Sequence, residues 1–125
     1  MAKVTGLGVF IKVSDQKAMA EWYRTVLGID IDGNWFGTAF PPKVMAEQAK
    51  AAQVFSFFKA DTEHMKPSTR EFMLNLCVDD LDGMLARCAE HGVTPIWRDD
   101  SDEYGHFAHI LDPDGIKIEL WQPGT

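Results

Sequence analysis

The feature that most constrains how this chain can fold is an internal repeat, because a sequence that carries one pattern twice must build two like units and pack them together. Segments 8–31 and 73–96 each read as strand, turn, helix, glycine and strand. Val13-Ser14-Asp15 aligns with Val78-Asp79-Asp80, and Met19 with Met84, at an offset of 65; Leu27-Gly28-Ile29 aligns with His91-Gly92-Val93 at an offset of 64. One residue is therefore lost within the second helix. At 125 residues and 46% hydrophobic, the chain can bury one sizeable core and has no room for a second independent domain. The expectation is a single domain over 1–125, with module 1 at about 4–60 and module 2 at about 70–123.

Each helix carries its own signals. Ser14 or Asp15 can cap the first, since a side-chain oxygen there accepts a free backbone N–H, and Met19, Trp22, Tyr23, Val26 and Leu27 fall on one face before Gly28 ends it. The second is capped by Asp79 or Asp80, buries Leu81, Met84, Leu85 and Cys88 at the same spacing, and stops at Gly92. These stripes are core positions.

Three short strands follow each helix, at roughly 29–32, 35–40 and 53–59 in the first module and 94–98, 106–111 and 116–121 in the second. Each module is then βαβββ, an α+β arrangement. The segment 41–52 predicts a short helix inside a loop, and 60–70 reads as the linker between modules; neither shows evident chemistry.

The turn Asp112-Pro113-Asp114-Gly115 decides which side chains share a face. Proline at its second position and glycine at its fourth favour a type I turn followed by a glycine bulge, which pairs Asp112 with Ile116 and His109 with Glu119. Ala108, Ile110, Ile116, Ile118 and Leu120 then lie on one face, all apolar, while Phe107, His109, Leu111, Lys117, Glu119 and Trp121 lie on the other. A one-residue slip would bury His109 among isoleucines without a partner. The same alternation sends Val9, Ile11 and Val13 of the first strand towards the helices and Gly8, Phe10 and Lys12 the other way. In the second module it sends Phe72, Leu74, Leu76 and Val78 towards the helices and Met73, Asn75 and Cys77 away. Two sheets with helices on their backs can curl so that the remaining faces line a concave cavity.

Charge and composition remove several function classes. The formal net charge of −7 disfavours phosphate backbones and anionic membranes. The N-terminus lacks the pattern of a secretory signal, and no apolar stretch is long enough to span a bilayer, so the expected location is cytoplasmic. Cys77 and Cys88, with no CxxC spacing, read as small hydrophobes rather than a disulfide or zinc site. The acidic run 99–103 lacks the glycine and spacing of a calcium loop.

Taken in order, Val13-Ser14-Asp15, Trp22-Tyr23, Val26-Leu27-Gly28, Val78-Asp79-Asp80 and the ending from Asp112 to Leu120 make a chain that resembles the vicinal-oxygen-chelate superfamily of glyoxalases, bleomycin-resistance proteins and dioxygenases. The resemblance covers nearly the whole sequence. It implies two βαβββ modules curled around a small-molecule cavity, a homodimer, and in many members a divalent metal that chelates two vicinal oxygens. Carried over position by position, the metal ligands fail in three of four places. The first strand offers Gly8, the equivalent strand of module 2 offers Met73, and the position closing module 1 falls near Phe55 or Ser56; Glu119 alone is retained. His109 can replace one ligand, but two side chains make a weak site, and the expectation is a protein with no stoichiometric divalent metal and no cofactor.

Glu119 with His109 reads as a general acid/base pair, or as an inherited carboxylate kept paired in a cavity wall. Phe10, Lys12, Met73, Asn75, Phe107 and Trp121 are the candidate ligand-binding residues, the aromatic ones either stacking on a planar ligand or filling space left by a lost metal. Tyr104 and His106 read as cavity-mouth residues, and His64 and His91 as surface histidines. Three function classes stay open: a metal-independent small-molecule binder of the resistance or sequestration type, a lyase or isomerase using Glu119 and His109, and a metal-dependent glyoxalase or dioxygenase.

Overall fold

The structure is a computed structural model and describes residues 1–124. In chain order it forms α1 (Gln16–Leu27), a one-turn α2 (Pro42–Met45), β1 (Leu74–Cys77), α3 (Leu81–Glu90), β2 (Trp97–Asp102), β3 (Gly105–Leu111) and β4 (Lys117–Pro123). The strands make one mixed sheet in the order β1-β4-β3-β2, with β1 parallel to β4 and the other pairs antiparallel. The connection between the parallel strands β1 and β4 runs through α3, β2 and β3, with α3 crossing from one edge of the sheet to the other.

The caps resolve the sequence alternatives. Asp15 accepts from the Ala18 N–H at 3.0 Å and Asp80 from the Gly83 N–H at 3.0 Å. Ser14 does not cap; it donates its N–H and hydroxyl to Asp114 across the chain, at 2.8 and 2.6 Å. Those two bonds, with Arg70 nearby, hold the Asp114 carboxyl below its ordinary range. Gly28 ends α1 with φ of 69°, a left-handed conformation that a side chain resists, and an added Cβ would also press on the Arg87 guanidinium at 3.1 Å. Arg87 reaches from α3 to the carbonyls of Arg24 and Thr25, so the two helices are tied at the C-terminus of α1, where a cation is favoured.

The core lies between these helices and one face of the sheet. Val26 and Leu27 of α1, Leu81 and Cys88 of α3, Val78, and Ala108, Ile110, Ile118 and Leu120 of the sheet form a single buried cluster. The turn register is as read from the sequence: His109 pairs with Glu119, Leu111 with Lys117, and the Asp112 N–H donates to the Ile116 carbonyl at 3.0 Å. Gly115 takes φ of 76°, the bulge conformation that the three-residue loop needs.

Module 1 differs from expectation. Its helix forms and docks, but the segments 8–13, 29–32, 35–40 and 53–59 do not join a sheet; only the bridge between Asp32 and Gly37 closes a hairpin there. Among the described residues, no backbone–backbone hydrogen bond involves 1–13 or 52–58. The physical reason is a missing surface. Alternation marks these segments as strands, and Ile29 does reach the core, yet the aromatic side chains of the first and last segments are left uncovered: Phe10 is 97% exposed, Phe55 76% and Phe57 86%. In module 2 the strand after α3 is shifted to Trp97–Asp102, and a register irregularity between Asp99 and Asp102 carries it round the acidic turn.

Candidate functional site

The sheet face away from the helices carries the polar and aromatic side chains, and strand alternation puts them side by side. Asn75 on β1 pairs with Glu119 on β4, Glu119 with His109 on β3, and His109 with Trp97 on β2, so one row across the sheet reads Asn, Glu, His, Trp. The Asn75 amide donates to Glu119 Oε1 at 2.9 Å, and His109 Nε2 lies 2.8 Å from Glu119 Oε2. Both carboxylate oxygens are therefore engaged. Burial alone would raise the Glu119 pKa, but the hydrogen bonds from His109 and Asn75 outweigh it and hold the carboxyl below its ordinary value. An ionised Glu119 makes His109 Nε2 the donor and leaves Nδ1 the free ring nitrogen.

Aromatic rings flank this row. Trp97 lies over His109 with centroids 4.4 Å apart, His64 meets His109 edge-on at 5.5 Å, and Phe58 stacks on His64 at 5.0 Å. His64 comes from the linker, which folds down onto the sheet because the Lys117 ammonium donates to the carbonyls of His64 and Lys66, at 2.6 and 2.9 Å. His64 is exposed, as the sequence reading of a surface histidine expected, and the fold of the linker adds that its ring stands beside the row. Desolvation, with Lys117 and His109 close by, lowers the His64 pKa, so its neutral form is favoured. A cleft of about 430 Å³ opens between the linker and β2, and His64, Trp97, His109 and Lys117 are among its lining residues.

The other sequence candidates are distributed less compactly. Phe107 and Trp121 stack on each other at 6.0 Å with planes 8° apart, and the Trp121 indole donates to the Tyr104 carbonyl, which leaves that ring buried against protein. Met73 precedes β1 and is half-buried. Phe10 and Lys12 sit on the exposed first segment, where the Lys12 carbonyl accepts from Arg70. His106 pairs with Asp100 at 2.9 Å on the outer part of the β2–β3 hairpin. Trp97 was the residue that sequence reasoning left without a role. The β2–β3 turn contains a bulge, so no fixed loop length set its pairing with His109; the alternation of 97 and 99 against 109 and 107 was the only signal.

A second cleft, of about 680 Å³, lies in module 1 between 4–7, 40–49 and 53–55. Its lining carries no ionisable side chain, and two of its polar side chains are engaged by the backbone, Gln48 donating to the Val78 carbonyl and Gln53 accepting from the Leu7 N–H.

Of the four positions that hold metal in the resembled family, three lack an imidazole or carboxylate here: Gly8 has no donor atom, Met73 offers a thioether, and the third falls at the exposed Phe55 or Ser56, while Glu119 is retained. A different set is close together. The ligating atoms of His64, His109 and Glu119 all lie within 4.8 Å of one another.

Comparison with known proteins follows the same lines. Among solved structures, the chain is similar to TnmS3, an antibiotic binding protein from Streptomyces sp. CB03234, at 26% identity over 99% of this chain and 100% of that one, with a TM-score of 0.60. A protein of unknown function from Agrobacterium tumefaciens str. C58 shares the fold at 17% identity and a TM-score of 0.56, covering 97% of this chain and 98% of its own. A glyoxalase/bleomycin resistance protein from Catenulispora acidiphila is 24% identical over 90% and 92% of the two chains, with a TM-score of 0.47. No functionally curated protein matches. The family model described as the glyoxalase/bleomycin resistance protein/dioxygenase superfamily matches residues 7–120, which spans both modules and the whole Asn75–Glu119–His109 row, and the chain therefore belongs to that superfamily.

Proposed function

We propose that this protein binds a small planar molecule in the cleft between the linker and β2, as a sequestering or resistance-type protein whose binding needs no resident metal. The observation that carries this reading is the row itself: a buried imidazole, oriented by a carboxylate that an amide holds in turn, facing a cleft with an indole at its wall. Binding sites combine apolar walls with a few fixed polar groups, and this cleft has that composition. The likeness to an antibiotic binding protein over the full length of both chains supports it. Thermal-shift screening of planar aromatic and carbonyl compounds, run with a chelator present, tests it. A hit should stabilise the wild type and lose most of its shift in Trp97→Ala and in Glu119→Gln. A hit whose shift survives both substitutions would put the ligand elsewhere.

A second reading, turnover at the same dyad, is favoured by the 2.8 Å contact between His109 Nε2 and Glu119 Oε2, which is the geometry of an oriented general base. Product formation from a bound hit, falling with Glu119→Gln and varying with pH, would mark it; an unchanged compound after prolonged incubation would exclude it for that ligand.

The partner expected for module 1 is a second copy of the chain. Segments 8–13 and 53–58 present apolar side chains and unpaired backbone groups together, and β1 leaves an open sheet edge. A symmetric dimer would cover this surface and the uncharged cleft beside it. Light scattering at micromolar concentration should give twice the 14.0 kDa chain mass, and Phe10→Lys combined with Phe57→Lys should halve it. A monomeric wild type would contradict the proposal.

A further inference from the structure

We propose that His64, His109 and Glu119 form a divalent-cation site suited to zinc and chemically similar late first-row ions, which shares Glu119 with the family's metal positions and takes its two imidazoles from elsewhere in the fold. The inference does not rest on the ligand-binding reading, since a cation can bind whether or not the cleft takes an organic molecule.

Three features of the cluster support it. The first is the donor set. Two imidazoles and one carboxylate satisfy the usual three protein ligands of an open zinc site, and nitrogen donors select against magnesium and calcium. The second is spacing. His109 Nε2 and Glu119 Oε2 stand 2.8 Å apart at hydrogen-bond distance, and opening to about 3.4 Å would make them neighbouring ligands of a tetrahedral ion with bonds of about 2.1 Å. All the ligating atoms lie within 4.8 Å of one another, against about 3.4 Å between ligands of a tetrahedral ion, so rotation of the His64 ring towards the pair closes the set. The third is the state of His64. Among the described residues its ring makes no hydrogen bond and is held only by the stack on Phe58 and the edge contact with His109, so it is free to turn towards an ion.

The surroundings are arranged to keep the ligands in place. Asn75 fixes Glu119 through Oε1, which leaves Oε2 as the coordinating oxygen, and metal ligands are ordinarily oriented by partners of this kind. Lys117 pins the linker by the His64 carbonyl itself, so the ligand from the linker is delivered by the same strand that supplies Glu119. When an ion enters, His109 changes tautomer, solvent taking the proton from Nε2 and returning one to Nδ1, and the ion takes the place of the proton between Nε2 and Glu119 Oε2. The Lys117 ammonium opposes a cation, but it is already engaged by two carbonyls, and the Glu119 charge lies on the ion's side. The remaining coordination positions face the cleft, where water or an oxygen of a bound molecule completes the shell.

The test uses the whole chain, stripped with chelator and dialysed, and titrated with Zn²⁺ by calorimetry and with Co²⁺ by visible absorption. One ion per chain is expected, with Co²⁺ bands that show imidazole coordination. His64→Ala and Glu119→Gln should each weaken binding by more than tenfold, and Asn75→Ala, which removes only the orienting partner, by about 10–100-fold. His91→Ala and His106→Ala should leave it unchanged, and circular dichroism of each variant confirms that the fold persists. Absence of one-to-one binding would overturn the proposal. So would a titration that His64→Ala leaves intact, or one abolished by His106→Ala, which would place the ion at the Asp100–His106 pair.

Discussion

Replacing Leu120 with alanine is expected to lower the unfolding free energy by about 2–5 kcal/mol. Leu120 is fully buried on β4, with Leu76 of β1 as its ladder partner on one side and Ala108 of β3 on the other. Its side chain belongs to the cluster that joins the sheet to α1 and α3. Loss of the buried methyl groups removes transfer free energy, and the void that remains adds to the cost because neighbours held by two ladders cannot collapse into it. The upper part of the range is expected for that reason: Ile110 and Ile118 beside it are equally buried and carry stiff, branched side chains. Urea denaturation at one fixed protein concentration measures the effect; the concentration must be held because dimerisation would add to apparent stability. Glu119→Gln, one residue away on the opposite face, should cost much less while altering ligand and cation binding. A loss below about 1 kcal/mol in Leu120→Ala would mean that the helix-facing side of the sheet is not the core.

How much of this was legible in the sequence varies with how local its cause is. The hairpin of β3 and β4 was fully legible, because proline and glycine at fixed places in Asp112–Gly115 determine the loop length, and loop length determines register. From that register the Glu119–His109 contact and the fully buried face of Ile110, Ile118 and Leu120 followed directly. The pairing of Asn75 with Glu119 needed only that β1 lie beside β4. The strands of module 1 were legible as patterns but not as pairings. Alternation states which side of 8–13 and 53–59 is apolar, whereas it does not state what covers that side, and Phe10, Phe55 and Phe57 stand exposed. The exposure of His64 was legible, but its place beside His109 was not. A linker has no period to read, and its path over the sheet is set by Lys117 reaching two carbonyls more than fifty residues away in sequence.

The second large effect is expected at Asp112, where truncation to alanine should cost about 2–4 kcal/mol although the residue sits in a turn. Its two oxygens carry separate duties. Oδ1 accepts the N–H groups of Asp114 and Ile116, both at 2.9 Å, and so shapes the bulge that sets the β3–β4 register. Oδ2 accepts the Tyr23 hydroxyl at 2.8 Å, which ties α1 to that turn. Desolvation, reinforced by the Asp112 charge, pushes the Tyr23 phenol far above its usual pKa, so it stays a donor across the physiological range. Alanine at 112 would leave the Ile116 N–H and the half-buried Tyr23 hydroxyl without acceptors, and an unmet buried donor costs about 1–3 kcal/mol. Asparagine keeps one acceptor and should lose only part of that stability. The Tyr23 contribution can be isolated by a double-mutant cycle of Tyr23→Phe with Asp112→Asn, in which a coupling of about 0.5–3 kcal/mol is expected for two groups in contact. Additive losses in that cycle would show that the turn is held by Oδ1 alone and that α1 docks through its apolar face without this bond.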